Sequence, residues 1–433
     1  MPAASNRSTG GDRSHRNVRT ARHHGAPRAA TPTPAPSSTP APRPLPRDLG
    51  IVIGDLPTGR HNAITDVPGV RVSHVTLHDP RRGLCSGVTA IWPAQMRAFG
   101  DRLIAATAIF NGTGKSIGLM QIAEHGTIET PICLTTTLAT FRTADAMVHF
   151  LREKKGWQFT SINPVVGECN DSFLSDPTGD CIRPEHVRRA LETVSATPPA
   201  QGCVGGGTGT WGFDFKGGIG TASRKLPGGF TLGMLVQLNC GRKDRLTIQG
   251  RVIGPALPDL NDRAAMSRHY QASHQPKRPG SGRGGRPVKK ATRSPGRSAT
   301  RPALRGRAAG SSDPRTDHGS IMMVLATDAP LTPHYLARLA RRVPLGLGRV
   351  GAVGGHGSGD IVIAFGTQVL HFDQPVATLK TIPPAQQDVL FEAAVDATEE
   401  AILNALFAAT DIQGRDGRIA RALPIDPVRA VLG

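Results

Sequence analysis

The segment GSIMMVLATDA, residues 319–329, decides how this chain is organised. It is a run of long aliphatic and β-branched side chains, which predicts a buried strand that begins abruptly at Ser320. The residues before it, 263–316, are rich in Gly, Pro, Ser and Arg and poor in large apolar side chains. Such a composition predicts disorder, because the segment cannot bury enough surface to offset the entropy of ordering. A folded strand is therefore expected directly after a long polar insert.

The distribution of charge indicates a second segment of this kind. The net charge of the 433 residues is +19, of which residues 1–50 contribute +6 and residues 263–316 contribute +13. The rest of the chain is therefore neutral, which argues against a folded basic face that binds nucleic acid. We expect a disordered, Pro-rich basic tail over residues 1–50, a disordered insert over residues 263–316, and only non-specific binding of nucleic acid through them.

The remaining sequence, from residue 51 to residue 433, predicts one folded domain. Short apolar runs such as GFTLGMLVQLN at residues 229–239 predict strands, and residues 384–410 predict a long helix. Residues 64–77 predict two strands around a Pro-Gly turn, and residues 332–350 predict one amphipathic helix that Thr332 caps. Many strands and few long helices in mixed order predict an α+β fold, in which helices cover packed sheets.

Neither a membrane anchor nor a metal site is expected. No apolar run reaches the ~18 residues that span a bilayer, and no apolar segment follows the N-terminal arginines as it would in a secretory signal. Six cysteines lack the CxxC spacing of a zinc site and any regular disulfide pattern: Cys85, Cys133, Cys169, Cys181, Cys203 and Cys240. We therefore expect a cytoplasmic protein with reduced, mostly buried thiols.

The Gly319–Ser320 junction carries the sharpest chemical hypothesis. Cleavage of this bond gives Ser320 a free α-amine beside its own hydroxyl, and an α-amine with a pKa near ~7.7–8.0 can act as the general base for that hydroxyl. Gly319 has no Cβ, so the backbone can adopt the conformation that attack on its carbonyl requires. The alternative is that Gly-Ser simply ends a linker.

Three polar residues could complete such a site. Ser358 and Asp360, in the motif GSGD, lie on one side of an extended segment. Asp360 could hold a charged amine and Ser358 could relay a hydrogen bond, unless the motif is only a loop with a strand cap. Asn239 ends the apolar run LVQLN and could donate to an oxyanion, or it could only cap the strand.

Two glycine motifs are compatible with anion binding. The Gly-rich block at residues 205–224, which contains Gly206 and Gly207, could line a cleft, bind an anion or only form hairpin turns. NGTGKS at residues 111–116 ends like a phosphate-binding loop, but Ile109 stands where that motif needs its first glycine. A tight turn is therefore favoured over a nucleotide site.

Together these motifs resemble those of the L-aminopeptidase/D-alanine esterase–amidase and β-peptidyl aminopeptidase family of N-terminal-nucleophile serine aminopeptidases. The resemblance runs from about residue 62 to the C-terminus, interrupted by the basic insert. It rests on NAITDVPGVRVSHVTL (62–77), GGGTGTWGFDFKGGIGTASR (205–224), LGMLVQLNCGR (232–242), GSIMMVLATDAPLTPHYLARLARRVPLGLGR (319–349) and GSGDIVIAFGT (357–367).

The resemblance implies an αββα sandwich and self-cleavage before the serine. The two products, residues 1–319 and 320–433, would stay associated without a covalent bond and assemble further into a homo-oligomer. It also implies Ser320 as the nucleophile, the Ser358–Asp360 pair beside it, and Asn239 at the oxyanion. The implied substrates are small peptides, amino-acid amides or esters, and no metal or organic cofactor is needed.

One segment departs from the family. Its members have an aromatic residue, often Tyr, in the segment that here reads VVGECNDSF, residues 165–173. This chain has Asn170 there, and its tyrosines, Tyr270 and Tyr335, lie elsewhere in the sequence. We therefore expect Asn170, together with Gly206 and Gly207, on the substrate side of the site.

Two other functions remain open at this point. One is acyl transfer to an amine, as in the similarly self-processing ornithine acetyltransferases, although these use Thr as the nucleophile. The other is an inactive hydrolase scaffold that binds polyanions through its basic segments.

Overall fold

The computed structural model describes residues 42–274, 319–370, 376 and 378–433. Its strands are β1 Val70–Asp79, β2 Leu84–Pro93, β3 Arg102–Gly112, β4 Thr127–Ile128, β5 Ile132–Thr136, β6 Val165–Cys169, β7 Trp211–Gly212, β8 Phe215–Lys216, β9 Gly218–Lys225, β10 Thr231–Asn239, β11 Thr247–Ile248, β12 Arg251–Val252, β13 Ser320–Thr327, β14 Gly359–Leu370, β15 Ile412–Gln413 and β16 Ile419–Ala420. Its helices are α1 Leu119–His125, α2 Thr140–Glu153, α3 Pro184–Glu192, α4 Arg263–His274, α5 Pro333–Ala340, α6 Val343–Arg349, α7 Gln387–Ala408 and α8 Ile425–Leu432.

Two sheets form the centre of the fold. The larger has six strands in the order β4-β3-β14-β13-β10-β9, and the smaller has four in the order β1-β2-β5-β6. Pairing is antiparallel except between β13 and β14 and between β5 and β6. Strand β13, which begins at Ser320, therefore lies inside the larger sheet with β10 on one side and β14 on the other.

Strand β13 also shows how the layers are stacked. Its odd-numbered residues Met323 and Leu325 join a core cluster with the helices α5, α6 and α7. Its even-numbered residues Met322 and Val324 join a second cluster with β2 and β6 of the smaller sheet, and α2 and α3 close that cluster from outside. Alternate side chains of a strand point to opposite faces, so the order of layers is helix, sheet, sheet, helix. The expected α+β fold and αββα sandwich are confirmed.

The fold begins earlier than the sequence predicted. Arg47 Nη2 donates to Glu400 Oε2 at 2.9 Å, and Arg43 Nε donates to the carbonyl of Phe407 at 3.0 Å. Glu400 is buried on α7 and also pairs with the buried Arg224 at 2.6 Å. A buried carboxylate needs such partners because desolvation is costly. The disorder expected for residues 1–50 is therefore wrong for residues 42–50, while residues 1–41 lie outside the described residues.

The insert also begins with regular structure. Helix α4 occupies Arg263–His274, so the disorder expected for residues 263–316 is wrong at its start. Met266 packs against a small apolar cluster that includes Phe173 and Trp211, and Tyr270, one helical turn later, is buried. Averaging the composition over the whole insert concealed this short apolar face. Residues 275–316 lie outside the described residues.

Two local expectations are also wrong. Residues Ile64–Asp66 form a 3₁₀ turn rather than a strand, because the Asp66 carboxylate accepts hydrogen bonds from nearby backbone N–H groups. The helix expected over residues 332–350 is two helices, α5 and α6, and a proline near the start of α6 favours a helix start over a helix interior. Thr332 caps α5 as predicted, accepting from the Tyr335 N–H at 3.2 Å.

Candidate active site

Ser320 lies at the first position of β13, between two strands that each bring a polar group towards it. Its Cα is paired with Asn239, the last residue of β10, and with Gly359, the first residue of β14. The Gly359 N–H donates to Ser320 Oγ at 3.1 Å. A Cβ at Gly359 would lie 2.8 Å from the nitrogen of Gly114 and 3.3 Å from Ser320 Oγ, so glycine keeps the space at the hydroxyl open.

Gly319 fits tightly against β10. A Cβ at this position would lie 2.0 Å from the carbonyl oxygen of Asn239 and 2.4 Å from Cys240 Cα, so no side chain fits. Glycine is therefore required at the junction by the close approach of two backbones.

Asn239 has its side chain fixed by one hydrogen bond. Its Oδ1 accepts from the Trp211 N–H at 2.8 Å, and only 3% of the residue is exposed. Within the described part of the chain, Nδ2 makes no hydrogen bond. The amide is therefore oriented by the backbone while its N–H₂ group is kept as a donor beside Ser320.

Ser358 and Asp360 are both fully buried and bonded to each other. Ser358 Oγ donates to Asp360 Oδ1 at 2.5 Å. Asp360 pairs with Ile321, which faces the helix layer, whereas Ser320 shares its face with Met322, which faces the smaller sheet. The carboxylate therefore lies on the face opposite to Ser320 Oγ, and the Ser358 hydroxyl lies beside it at the start of the strand.

A second carboxylate, which the sequence analysis missed, lies on the same face as Ser320 Oγ. A Cβ at Gly114 would lie 3.6 Å from Glu168 Oε1 and 3.8 Å from Gly359 Cα, so Gly114 separates Glu168 from the Ser320–Gly359 pair. Glu168 is buried on β6 and accepts hydrogen bonds from the Lys115 N–H at 2.9 Å and from a threonine hydroxyl. The available signal was an acidic residue inside the apolar run VVGEC.

Gly206 and Gly207 do not offer N–H groups to this site. The Gly206 N–H donates to Thr89 Oγ1 at 3.1 Å, and the Gly207 N–H donates to the carbonyl of Val204 at 2.9 Å. The buried Lys216 holds this Gly-rich loop by donating to three of its carbonyls at 2.7–3.0 Å. Both N–H groups are thus engaged within the protein, and contact of Gly206 and Gly207 with a substrate stays a prediction.

Asn170 and Tyr270 meet although one hundred positions separate them in the sequence. The Tyr270 hydroxyl donates to the carbonyl of Asn170 at 3.3 Å, and Tyr270 lines a cleft together with Asn239 and Gly319. Tyr270, which is distant from Asn170 in the sequence, is therefore brought to this segment by α4. The local sequence of the insert did not predict this contact.

The thiol of Cys169, which follows Glu168 in the chain, is poorly suited to act as a nucleophile. Burial raises the pKa of Cys169 well above its ordinary value, and the nearby Glu168 raises it further. A thiolate at Cys169 is thus disfavoured at neutral pH.

Burial also raises the pKa of Asp171 to about 7, against the opposing effect of hydrogen bonds such as the one from Thr136 Oγ1 at 2.6 Å.

The described residues contain neither a metal-binding cluster nor a membrane-spanning helix. In that part of the chain, no group of three or more His, Cys, Asp or Glu side chains is arranged to hold a metal ion. None of the helices described combines the length and the apolar character that crossing a bilayer requires.

Comparisons with known proteins identify the family and the fold of this chain. Residues 62–420 match the sequence model of Peptidase family S58. A β-peptidyl aminopeptidase BapA of Sphingosinicella microcystinivorans is 36% identical over 399 residues, which cover 89% of this chain and 91% of that protein. A Burkholderia sp. β-aminopeptidase structure is 36% identical with a TM-score of 0.71, covering 89% of this chain and 98% of that chain.

The fold class follows from the similarity to a third relative. The L-aminopeptidase D-Ala-esterase/amidase of Ochrobactrum anthropi, described as a variant of the Ntn-hydrolase fold and a prototype of the serine aminopeptidases, has a TM-score of 0.72 and 34% identity, covering 90% of this chain and 98% of that chain. This protein is thus a hydrolase of the N-terminal-nucleophile fold. More narrowly, the chain belongs to peptidase family S58.

Proposed function

We propose that this protein is a self-processing serine aminopeptidase that uses Ser320 to remove N-terminal residues from small peptides, amides or esters. The observation that carries the proposal is the position of Ser320 at the start of an interior strand, with Asn239 and Gly359 as its neighbours in the sheet. The aminopeptidase names of its relatives support the same reaction class.

Processing begins with attack by Ser320 Oγ on the carbonyl carbon of Gly319. The hydroxyl proton passes to the peptide nitrogen of Ser320, the C–N bond breaks as that nitrogen leaves as an amine, and the acyl group is held on Oγ as an ester. Water then hydrolyses this ester, which leaves a carboxylate on Gly319 and a free α-amine on Ser320. The tight fit of Gly319 against β10 supports this step, because it holds the carbonyl in one place.

Peptide hydrolysis then uses the same hydroxyl. The Ser320 amine removes the proton from Oγ, directly or through one water, and Oγ attacks the substrate carbonyl. The Asn239 amide donates to the oxyanion that forms. The Ser358 hydroxyl, which donates to the Asp360 carboxylate, accepts a hydrogen bond from the protonated amine. The carboxylate thus stabilises the ammonium through this hydroxyl. The scissile bond of the substrate then breaks, and the leaving amine or alcohol takes the proton from the Ser320 ammonium. Water finally hydrolyses the ester and releases the acyl group from Ser320 as a carboxylic acid.

Selectivity for a free N-terminus needs an anion that faces the substrate. Glu168 is the buried carboxylate on the face of Ser320 Oγ, separated from it by Gly114. We assign to it the substrate ammonium, while Asp360, on the opposite face, serves the enzyme's own amine. The carbonyl of Asn170 already accepts from Tyr270, so Asn170 shapes the cleft through that contact.

The test is the mass of the purified protein and its activity on amino-acid anilides. Wild-type protein should give two chains of 319 and 114 residues, the smaller beginning at Ser320, while Ser320→Ala should stay at 433 residues and be inactive. Ser195→Ala, which removes a hydroxyl on a surface loop that pairs with β1, is the matched control and should behave as wild type. Active protein without the cut would refute the proposal.

The same preparation distinguishes the two alternatives. An amine acyltransferase should give mostly acylated amine when an amino acid such as ornithine is added, whereas a peptidase should give mostly free acid. An inactive scaffold should neither cut itself nor hydrolyse anilides. Cytoplasmic location and homo-oligomer formation stay predictions from the sequence.

A further inference from the structure

A cleft opens beside Gly319, and α4 forms one of its walls. The opposite wall is built by the residues around Trp211 and Phe213 and by the end of β10 at Asn239. Met266 and Tyr270 line it from the helix side. Tyr270 is only 6% exposed, so most of its ring is packed inside the protein. The first turns of a basic, polar insert thus supply an apolar surface at the reaction centre.

Contacts at its start and in its middle hold α4 in this place. Arg263 at its start forms an ion pair with Asp214 at 2.9 Å. In its middle, His269 Nε2 and Ser172 Oγ are 3.0 Å apart, and the His269 ring packs edge-on against Phe173 with centroids 5.8 Å apart. None of these contacts involves the Gly319–Ser320 bond. These contacts of α4 therefore do not depend on that bond being intact.

The cleft is where the acyl part of a substrate must lie. In processing, Ser320 Oγ attacks the carbonyl of Gly319, and in catalysis the same hydroxyl attacks the carbonyl of the substrate's first residue. The atoms attached to that second carbonyl therefore occupy the region that Gly319 occupies before cleavage. That region is bounded by Asn239 on one side and Tyr270 on the other.

We propose that Tyr270 and Met266 of α4 determine which N-terminal residues the enzyme accepts, by limiting the size of an apolar side chain in this cleft. The thioether and the aromatic ring favour apolar side chains, and their bulk excludes the larger ones. This inference rests on the proposed aminopeptidase activity and adds its substrate class, which is small to medium-sized apolar N-terminal residues.

The test compares fully processed variants on the p-nitroanilides of Ala, Leu and Phe. Tyr270→Ala should raise the ratio of kcat/KM for Phe to that for Ala by about tenfold or more, the range in which hydrophobic pockets discriminate. Met266→Ala should shift the ratio in the same direction, and Tyr270→Trp should lower it. Arg268→Ala is the control on α4, because the Arg268 side chain is 66% exposed and pairs only weakly, at 3.6 Å, with Asp262.

A merely structural role of Tyr270 predicts a different result. In that case kcat/KM falls by one common factor on all three substrates and the ratio stays as in wild type, which overturns the inference. If Tyr270→Ala does not fold, the opposite shifts expected for Tyr270→Trp and Met266→Ala decide the matter. Wild-type protein that is inactive on every anilide contradicts the proposed activity itself, whereas an active wild type with an unchanged ratio in the variants contradicts only the role of α4.

Discussion

Replacing Asn239 tests the oxyanion site with two variants that separate catalysis from folding. The Asn239 amide accepts from the Trp211 N–H at 2.8 Å and has its own N–H₂ group beside Ser320. Asn239→Asp keeps an acceptor for Trp211 but removes the donor. Asn239→Ala removes both, and leaves a buried backbone N–H without its partner.

The size of each effect follows from these two roles. Loss of one oxyanion donor lowers kcat by about 10²–10³, equivalent to about 2.7–4 kcal/mol. We expect this loss in both variants, with KM changed little because the bond forms with the developing charge. Loss of the acceptor for the Trp211 N–H costs a further ~1–3 kcal/mol of stability. That cost should appear in Asn239→Ala and be much smaller in Asn239→Asp.

The assay is kcat on the processed fraction, quantified by intact mass, beside the unfolding free energy in urea. Asn163→Ala is the matched control. The Asn163 amide donates to Glu129 just before β6 begins, whereas Glu168 lies near the other end of that strand. This variant should turn over like wild type. Processed Asn239→Asp with kcat within threefold of wild type would show that Asn239 is not an oxyanion donor.

Two further changes test the cleavage junction and a buried acid. Gly319→Ala should accumulate uncut chain, because its Cβ would lie 2.0 Å from the Asn239 carbonyl oxygen and a misplacement of ~1 Å can lower a rate by ~10². Intact mass over time measures the uncut fraction, and cleavage at the wild-type rate would contradict this prediction. Asp171 has a pKa raised by burial to about 7, so between pH ~4 and that value the folded state holds a proton that the unfolded state has lost, and stability falls as pH rises. Asp171→Asn should remove this slope and gain on wild type by at most about 4 kcal/mol at pH 8, measured by urea unfolding at pH 4 and pH 8; parallel pH profiles for the two proteins would refute it.

The sequence was sufficient for the parts of the site that depend on local pattern. Ser320 begins an apolar run and Asn239 ends one, so both could be placed at strand ends before any pairing was known. Ser358 and Asp360 are two positions apart, which places them on one side of an extended segment, and the structure joins them by a hydrogen bond. Strands and long helices are recognised in the same way, because their periodicity is written in neighbouring residues.

The expected ends of the two disordered segments were wrong where composition was averaged over a long stretch of sequence. Arg43 and Arg47 lie in a Pro-rich basic tail, yet Arg47 is held by a buried carboxylate more than 350 positions away. Helix α4 lies in a basic insert, yet its apolar residues pack on the core. A charge or an apolar side chain is stabilised by its partner in space, and a window of sequence does not contain that partner.

Sequence alone therefore determined the class of fold, the nucleophile candidate and the strand ends that carry its neighbours. Only the tertiary structure decided which groups share a face of the sheet. It placed Glu168 on the side of Ser320 Oγ and Asp360 on the other side, engaged the N–H of Gly206 within the protein, and brought Tyr270 to the carbonyl of Asn170. The physical reason is that strand register and the docking of α4 arise from contacts between distant segments, whose free energy depends on burial and shape rather than on any local pattern.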